Sequence, residues 1–293
     1  MKENFIVYND GNFESSLDGA HISFRQYSKS KKLNKKIKHI FIQHGAIEYH
    51  KRHKELISYL IDHYGNSVLI SCMDLYGHGY SGGTRAYVDD INSYQEDFLK
   101  FMRITLDMYH EHDVKTHFIG HSLGGMVILK TLVDKGDLIP FEVESVILSN
   151  PCIKPYLKLP GFAKTIVNEL SNNLSKTRFP SLYSGKDLTS DVQRAMDFDG
   201  DHLNSNFMTF GMINSILKAS DKIMSYSYYL KHPILFLLSG KDTVVNASST
   251  ELFISGIEKD LVKMLKYPDA KHDLFNETSR RQVYEEIVEY LGK

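Results

Sequence analysis

The residues of this chain best placed to do chemistry lie in Gly120-His121-Ser122-Leu123-Gly124-Gly125, a G-x-S-x-G pattern. Before it, Thr116-His117-Phe118-Ile119 reads as the end of a strand. After it, Met126-Val127-Ile128-Leu129, continuing to Leu132 and Val133, reads as a buried helix. A serine on so tight a strand–turn–helix corner projects its hydroxyl clear of the sheet. Only neighbours without a Cβ leave room beside it, the part predicted for Gly120 and Gly124, while Gly125 lets the helix begin close to the strand. The helix N-terminus would aim unpaired N–H groups at negative charge developing beside Ser122. The chemistry indicated is nucleophilic attack by a hydroxyl. Alone the pattern is weak, because roughly one chain in ten of this length would carry it by chance.

A serine hydroxyl is a poor nucleophile until an imidazole takes its proton, and the imidazole needs a carboxylate to fix its tautomer. On this scaffold the partners follow in the order Asp then His, each at a strand end. Asp242 follows the most apolar strand, in Leu238-Ser239-Gly240-Lys241-Asp242-Thr243-Val244-Val245, and His272 follows the last strand, in Ala270-Lys271-His272-Asp273-Leu274. The tetrapeptide Ser-Gly-Lys-Asp also occurs at 184–187, but not after a buried strand, so Asp187 reads as a surface or capping residue. A tetrahedral oxyanion needs two N–H donors. The amide of Leu123 is one. The other is predicted at Ala46, after the strand His39–Gln43, where Gly45 permits close backbone approach and His44 reads as an orienting residue.

Five separated blocks together resemble the α/β-hydrolase superfamily, in its monoacylglycerol lipase and lysophospholipase branch. They are Gln43-His44-Gly45-Ala46 with Glu48 and His50, Asp74-x-x-Gly77-His78-Gly79-x-Ser81-x-Gly83, Gly120 to Gly125, Gly240-x-Asp242-x-Val244-Val245, and Lys271-His272-Asp273-Leu274-x-Asn276-Glu277. The resemblance runs from about Phe13 to the C-terminus and implies a serine esterase without cofactor. One departure is Ala46-Ile47-Glu48-Tyr49-His50, where the family usually has glycine before the glutamate and histidine directly after it.

The surrounding elements must hold these residues. Phe5–Tyr8 and His21–Tyr27 read as an opening antiparallel pair, with Asn9-Asp10-Gly11-Asn12 and Asp18-Gly19 as turn formers. Strands follow at His39–Gln43, Val68–Met73, Val146–Ser149, Pro233–Ser239 and Lys263–Tyr267. Helices are predicted near Arg52–Asp62, Tyr94–His110, Ser248–Ile257 and Asn276–Leu291. The alternation implies an α/β fold, a mostly parallel doubly wound sheet, with a helical cap inserted after the sixth strand. The expected core is 1–150 and 232–293, and the cap is 151–231, a stretch with no convincing buried strand.

In the cap, Leu157, Leu159, Phe162, Ile166, Val167 and Leu170 form one apolar group; Phe207, Phe210, Ile213 and Leu217, with Met208, Met212 and Ile216 beside them, form another. They fit the cap's own core, an acyl tunnel, or a face that dips into lipid. Lys154, Lys158, Lys164, Lys176 and Arg178 oppose one acid, Glu169, and fit either a solvated surface or a phosphate headgroup. The lysines between Lys29 and Lys38 fit either a solvated loop or a membrane-surface patch. Cys152 begins the cap close to the expected site.

Across 293 residues the formal net charge is −1, which gives no field for nucleic acid. Cys72 and Cys152 form no disulfide framework, the N-terminus has no signal-peptide core, and no apolar run reaches membrane-spanning length, so a cytoplasmic protein is expected. The fourteen histidines are scattered, and no metal site is expected. The expected function is hydrolysis of a carboxylic ester with a single acyl chain, through an acyl-enzyme. Peripheral membrane contact through the cap would fit such a substrate. The alternatives are a short-chain carboxylesterase, an aminopeptidase of the same superfamily, and a non-catalytic ligand-binding homologue.

Overall fold

The computed structural model describes residues 5–156 and 163–292. In chain order its strands are β1 (Ile6–Glu14), β2 (His21–Ser28), β3 (Lys36–Gln43), β4 (Val68–Met73), β5 (Asp113–His121), β6 (Val143–Ser149), β7 (Arg178–Pro180), β8 (Phe207–Thr209), β9 (Ile234–Ser239) and β10 (Val262–Tyr267). The α-helices are α1 (Lys54–Tyr64), α2 (Asn92–Ile104), α3 (Met108–Glu111), α4 (Leu123–Asp134), α5 (Ala163–Leu174), α6 (Gly185–Leu188), α7 (Val192–Gly200), α8 (Phe210–Ile223), α9 (Ala247–Ser255) and α10 (Arg280–Leu291).

Eight strands form one sheet in the order β1-β2-β4-β3-β5-β6-β9-β10. The run from β4 to β10 is parallel, whereas β1 and β2 join antiparallel at one edge. The central strands are buried on both faces, as parallel sheets require, and their side chains alternate between two cores. Phe41, Phe118 and Phe236 point into the core shared with α2 and α4. Ile42, Ile119 and Leu237 point into the one shared with α1 and α10. After β6 the chain leaves this sheet, and it returns at β9. Among the described residues no helix is long and apolar enough to cross a membrane.

Three expectations change, and the stretch 151–231 shows one feature beyond its expectation. Asn9–Asn12 is not a turn but the middle of β1, because Gly11, lacking a Cβ, lets the strand lie directly on the Phe24 ring. The turn sits at Asp18-Gly19, where Gly19 has φ +77°. The helix expected to reach His110 ends at Ile104, where the Thr105 hydroxyl donates to the Met102 carbonyl, and α3 is a separate short turn. The stretch 151–231 holds a small antiparallel pair, β7 with β8, outside the main sheet. The terminal helix begins at Arg280 rather than Asn276, because Leu274–Asn276 forms a separate 3-10 turn.

Several histidines are packed as neutral groups. His39 is bonded to Ser71 Oγ (2.7 Å) and Tyr109 Oη (2.9 Å), and His117 to Ser145 Oγ (2.9 Å). Burial holds His39 and His78 down to about 3, and His117 and His121 down to about 4. In an unfolded chain each would titrate near ~6.5. A histidine with a lowered folded pKa contributes stability that is complete above ~6.5 and is lost as pH falls towards the folded value. His272 has the opposite sign, since its pKa is raised, and partly offsets them. Asp74, held down to about 2 by His50 against the effect of burial, keeps its contribution until pH drops below ~4. Stability is therefore expected to fall steadily from pH 6.5 to 4.5, by ~1.4 kcal/mol per pH unit for each net histidine. Urea unfolding at half-unit steps measures this, and a flat profile across the window would refute neutral burial.

Candidate active site

Ser122 occupies the corner between β5 and α4 with φ +50° and ψ −117°, backbone angles that a residue with a Cβ rarely adopts. Three main-chain bonds hold it there: Ser122 N–H to the Ser149 carbonyl (3.0 Å), and the N–H groups of Cys152 (2.9 Å) and Met126 (3.2 Å) to the Ser122 carbonyl. The corner closes only because its neighbours are glycine. A Cβ on Gly124 would stand 2.2 Å from the Gln43 carbonyl oxygen and 2.5 Å from that of His44, and one on Gly120 would stand 2.7 Å from Gly125 Cα. The approach brings the end of β3 against the start of α4, and Ala46, Ser122 and Leu123 line one cavity. As the first residue of α4, Leu123 has no acceptor for its N–H within the helix, and among the described residues the Ala46 N–H donates to no backbone carbonyl.

Asp242 and His272 arrive from the ends of β9 and β10. His272 Nδ1 lies 2.7 Å from Asp242 Oδ2, both side chains being buried. The other carboxylate oxygen accepts the N–H groups of Val244 (2.7 Å) and Val245 (3.0 Å). Burial acts to lower the His272 pKa, but Asp242, with smaller help from Asp273 and Glu48, raises it above the ordinary imidazole value. Burial likewise acts to raise Asp242, and the imidazole and the two amides bring it below the usual carboxylate range. His272 lines the same cavity as Ser122.

The loop after β3 is fixed from below. His44 Nε2 accepts the Leu75 N–H (2.9 Å), so Nδ1 carries the proton and donates to the Gly45 carbonyl (2.7 Å). Glu48 Oε1 accepts the Gly45 N–H (2.6 Å) and lies 3.5 Å from His53 Nε2 and 4.0 Å from His121 Nε2. His121 lies beside His272 with the rings tilted at 50° and their centres 4.9 Å apart, and burial without a carboxylate at hydrogen-bond distance keeps it neutral. Ile47, where the resemblance would place glycine, has φ +57° and is buried. A β-branched residue there is strained by something on the order of 1–3 kcal/mol.

Asn150, directly after β6, is a positioning residue that the pattern of motifs missed. Its amide donates to the His272 carbonyl and to Ser239 Oγ (2.7 Å each), and its Oδ1 accepts the Ser239 N–H (2.9 Å). The available signal was an asparagine directly after a buried strand, a residue type enriched in the left-handed region that it adopts here (φ +41°).

Beyond Ser122 the cavity walls are mostly apolar: Leu182, Leu188, Met208, Ile213, Ile216 and Leu217 from 151–231, with Val244. Met212 and Ile216 also pack into the core. Val167 packs with Ile213 and Leu217. Leu157, Lys158, Leu159 and Phe162, and the side chains of Lys164 and Ile166, lie outside the described residues. Of the remaining basic residues, Lys176 sits over the Tyr87 ring, Arg178 over the Phe207 ring, and Lys154 lies 3.8 Å from Asp221. In the earlier loop Lys29 pairs with Asp62, while Lys35 and Lys38 donate to main-chain carbonyls. Cys152 lines the cavity, but burial pushes its thiol up to about 12, so it is no nucleophile at neutral pH. Asp187 closes a capping box with Ser184 at the start of α6.

A family profile described as serine aminopeptidase, S33, matches residues 34–279. A phospholipase of Bacillus subtilis is 26% identical over 84% of this chain and 91% of its own length. An abhydrolase domain-containing protein of Dictyostelium discoideum is 22% identical over 85% of this chain, which spans only 25% of that protein's length. Among solved structures, a soluble variant of monoglyceride lipase from Saccharomyces cerevisiae, in complex with a substrate analogue, superposes with a TM-score of 0.82. It is 21% identical, and the match covers 99% of this chain and 97% of that one. The shared fold is that of an α/β-hydrolase.

Replacing Asn150 by alanine removes three hydrogen bonds and leaves a side chain poorly suited to φ +41°. The expected loss is ~2–4 kcal/mol in urea unfolding. Asn150→Gly, which accepts the backbone angle, should recover only the strain component. A cost below ~0.5 kcal/mol for the alanine variant would remove Asn150 from the support of the His272 loop.

Proposed function

We propose, from a chain that belongs to the serine aminopeptidase, S33, family of α/β-hydrolases, that it hydrolyses carboxylic esters carrying a single acyl chain. The observation that carries this reading is the buried Asp242–His272 pair opening onto the same apolar cavity as the strained Ser122 corner. In this reading Ser122 Oγ attacks the ester carbonyl while His272 Nε2 takes its proton. Asp242 holds the other ring nitrogen in the protonated form and stabilises the imidazolium. The amides of Ala46 and Leu123 donate to the oxyanion, where charge develops in the transition state. His272 then returns the proton to the leaving alcohol. An activated water attacks the acyl-enzyme, and the acid departs.

The segment 151–231 is proposed as a cap whose inner wall is the acyl site. Its leucine, isoleucine and methionine side chains give an alkyl chain dispersion contacts and no polar competitor. The phospholipase and monoglyceride lipase among the similar proteins support a monoacylglycerol or lysophospholipid over a small ester. Aminopeptidase activity, which the family description names, would need a carboxylate free to grip an α-amine. Among the described lining residues the one carboxylate is Glu48, and it is taken by the Gly45 amide with His53 and His121 against it. A cytoplasmic or membrane-peripheral setting is proposed with this substrate class.

Ser122→Ala is expected to lower kcat by ~10⁶ and to abolish labelling by a fluorophosphonate. Labelling that survives the substitution would sink the assignment. Across 4-nitrophenyl esters of two to sixteen acyl carbons, kcat/KM should rise by at most about fourfold per methylene, following ~0.8 kcal/mol of transfer energy, until the cavity is full. A maximum at two to four carbons would replace the lipid reading with a short-chain esterase.

His272 must be neutral to act as base, and its pKa is raised. The acid limb of kcat/KM is therefore expected to have its midpoint above the ordinary ~6.5. Asp242→Asn should lower kcat by ~10⁴ and move that midpoint to lower pH. A midpoint that stays in place would detach Asp242 from the base.

A further inference from the structure

We propose that Ile47 is a positioning residue for the oxyanion: its side chain, locked into the segment 151–231, holds the preceding amide of Ala46 on the cavity. The inference rests on the esterase reading, since it assigns that amide a role in turnover.

The strain at Ile47 is the starting observation. A β-branched residue left to itself would relax out of φ +57°, so something must hold it. Two independent contacts do. The side chain is buried in a small cluster with Leu188 of α6 and Phe198 of α7, against which Tyr183, Met208 and Val244 also pack. The carbonyl accepts the Ser205 N–H at 2.9 Å. Every one of these partners except Val244 lies between β6 and β9, so the loop carrying Ala46 is bolted to the inserted segment rather than to the sheet that launches it. On its other side the loop is held by the Glu48 carboxylate on the Gly45 N–H and by His44. Ala46 lies between these two sets of anchors. Leu188 serves both halves of the site, because its carbonyl accepts the N–H of Asp273, the residue after His272 (2.8 Å). The strained conformation therefore persists only while α6 and α7 are docked, and the donor at Ala46 is in place under the same condition.

A glycine at this position would accept the backbone angles without strain but would also accept many others. Ile47→Gly is therefore expected to lower kcat for a four-carbon ester by between about 10- and 100-fold, the range for a displaced donor or a small misplacement of catalytic groups. KM for that short ester should stay within about twofold, because the role assigned to Ile47 acts on the oxyanion formed in turnover rather than on ground-state binding. Turnover is expressed per site titrated to completion with a fluorophosphonate, at a temperature well below the Tm of each variant, so that loss of folded protein does not count as loss of rate. Ile47→Val, which keeps the branched side chain, should restore kcat to within about threefold of wild type. Should the glycine variant not fold, Ile47→Asn, which tolerates a positive φ without the apolar packing, takes its place with the same thresholds. A kcat within twofold of wild type in a folded Gly or Asn variant overturns the inference about Ile47 and leaves the esterase reading intact. A wild-type protein that neither turns over esters nor labels at Ser122 overturns the esterase reading itself, and the inference with it.

Discussion

Two backbones touch at Gly124, and the rest of the site is arranged around that contact. The carbonyls of Gln43 and His44 occupy the volume in which a Cβ at position 124 would lie. Without this approach, the end of β3 and the beginning of α4 would be separated by a side-chain width, and the amides of Ala46 and Leu123 would no longer share a cavity with Ser122. The sheet order makes the approach available, since β3 and β5 are neighbours in register, with Gln43 beside Gly120. A parallel sheet delivers the loops that follow its strands to the same end, so Asp242 from β9 and His272 from β10 reach the same cavity without any long-range search.

Charge in this region is decided by which imidazole reaches a carboxylate at hydrogen-bond distance. His121 and His272 are nearly in ring contact and equally buried, yet their pKa values move in opposite directions. Asp242 bonds directly to His272, whereas Glu48 stays 4.0 Å from His121 and spends an oxygen on the Gly45 amide. Desolvation then wins at His121 and loses at His272. The result is a basic imidazole at His272 beside a neutral one at His121, which the proposed mechanism requires. A second protonated ring beside His272 would repel the imidazolium formed when Ser122 gives up its proton.

Much of this was legible in the sequence because closely spaced glycines and polar residues at strand ends are tied to a narrow set of backbone geometries. The corner at Ser122, the pairing of Asp242 with His272 and the choice of the second Ser-Gly-Lys-Asp over the first all follow from asking which residue sits after a buried strand. What stayed hidden depends on tertiary contact. Gly11 looked like a turn former until its cross-strand partner proved to be Phe24, and the end of α2 depended on one hydroxyl, that of Thr105. Asn150 and Ile47 were the deeper omissions. Each is held in the left-handed region by partners far along the chain; asparagine is merely enriched there, and isoleucine gives no sign of that conformation in a sequence.

The inserted segment does more than wall the cavity. Its first residues lie along the Asp242 loop, through Tyr156 N–H to Val244 and Asn246 N–H to Lys154. Farther along, Leu188 takes the Asp273 N–H, and Ser205 donates to Ile47. The loops bearing Asp242, His272 and Ala46 thus each lean on the body of 151–231. Ser122 differs, being fixed by the sheet, by α4 and by the Cys152 amide at the root of the insertion. In such an arrangement the wall that would measure an acyl chain and the scaffold that would align the reacting groups are one body. On the proposed reading, a change in the insertion that alters chain preference would also load the loops carrying the base and the oxyanion donor. Selectivity and rate would then be mechanically coupled, and a substitution behind Leu188 or Phe198 would reach the chemistry without touching a substrate.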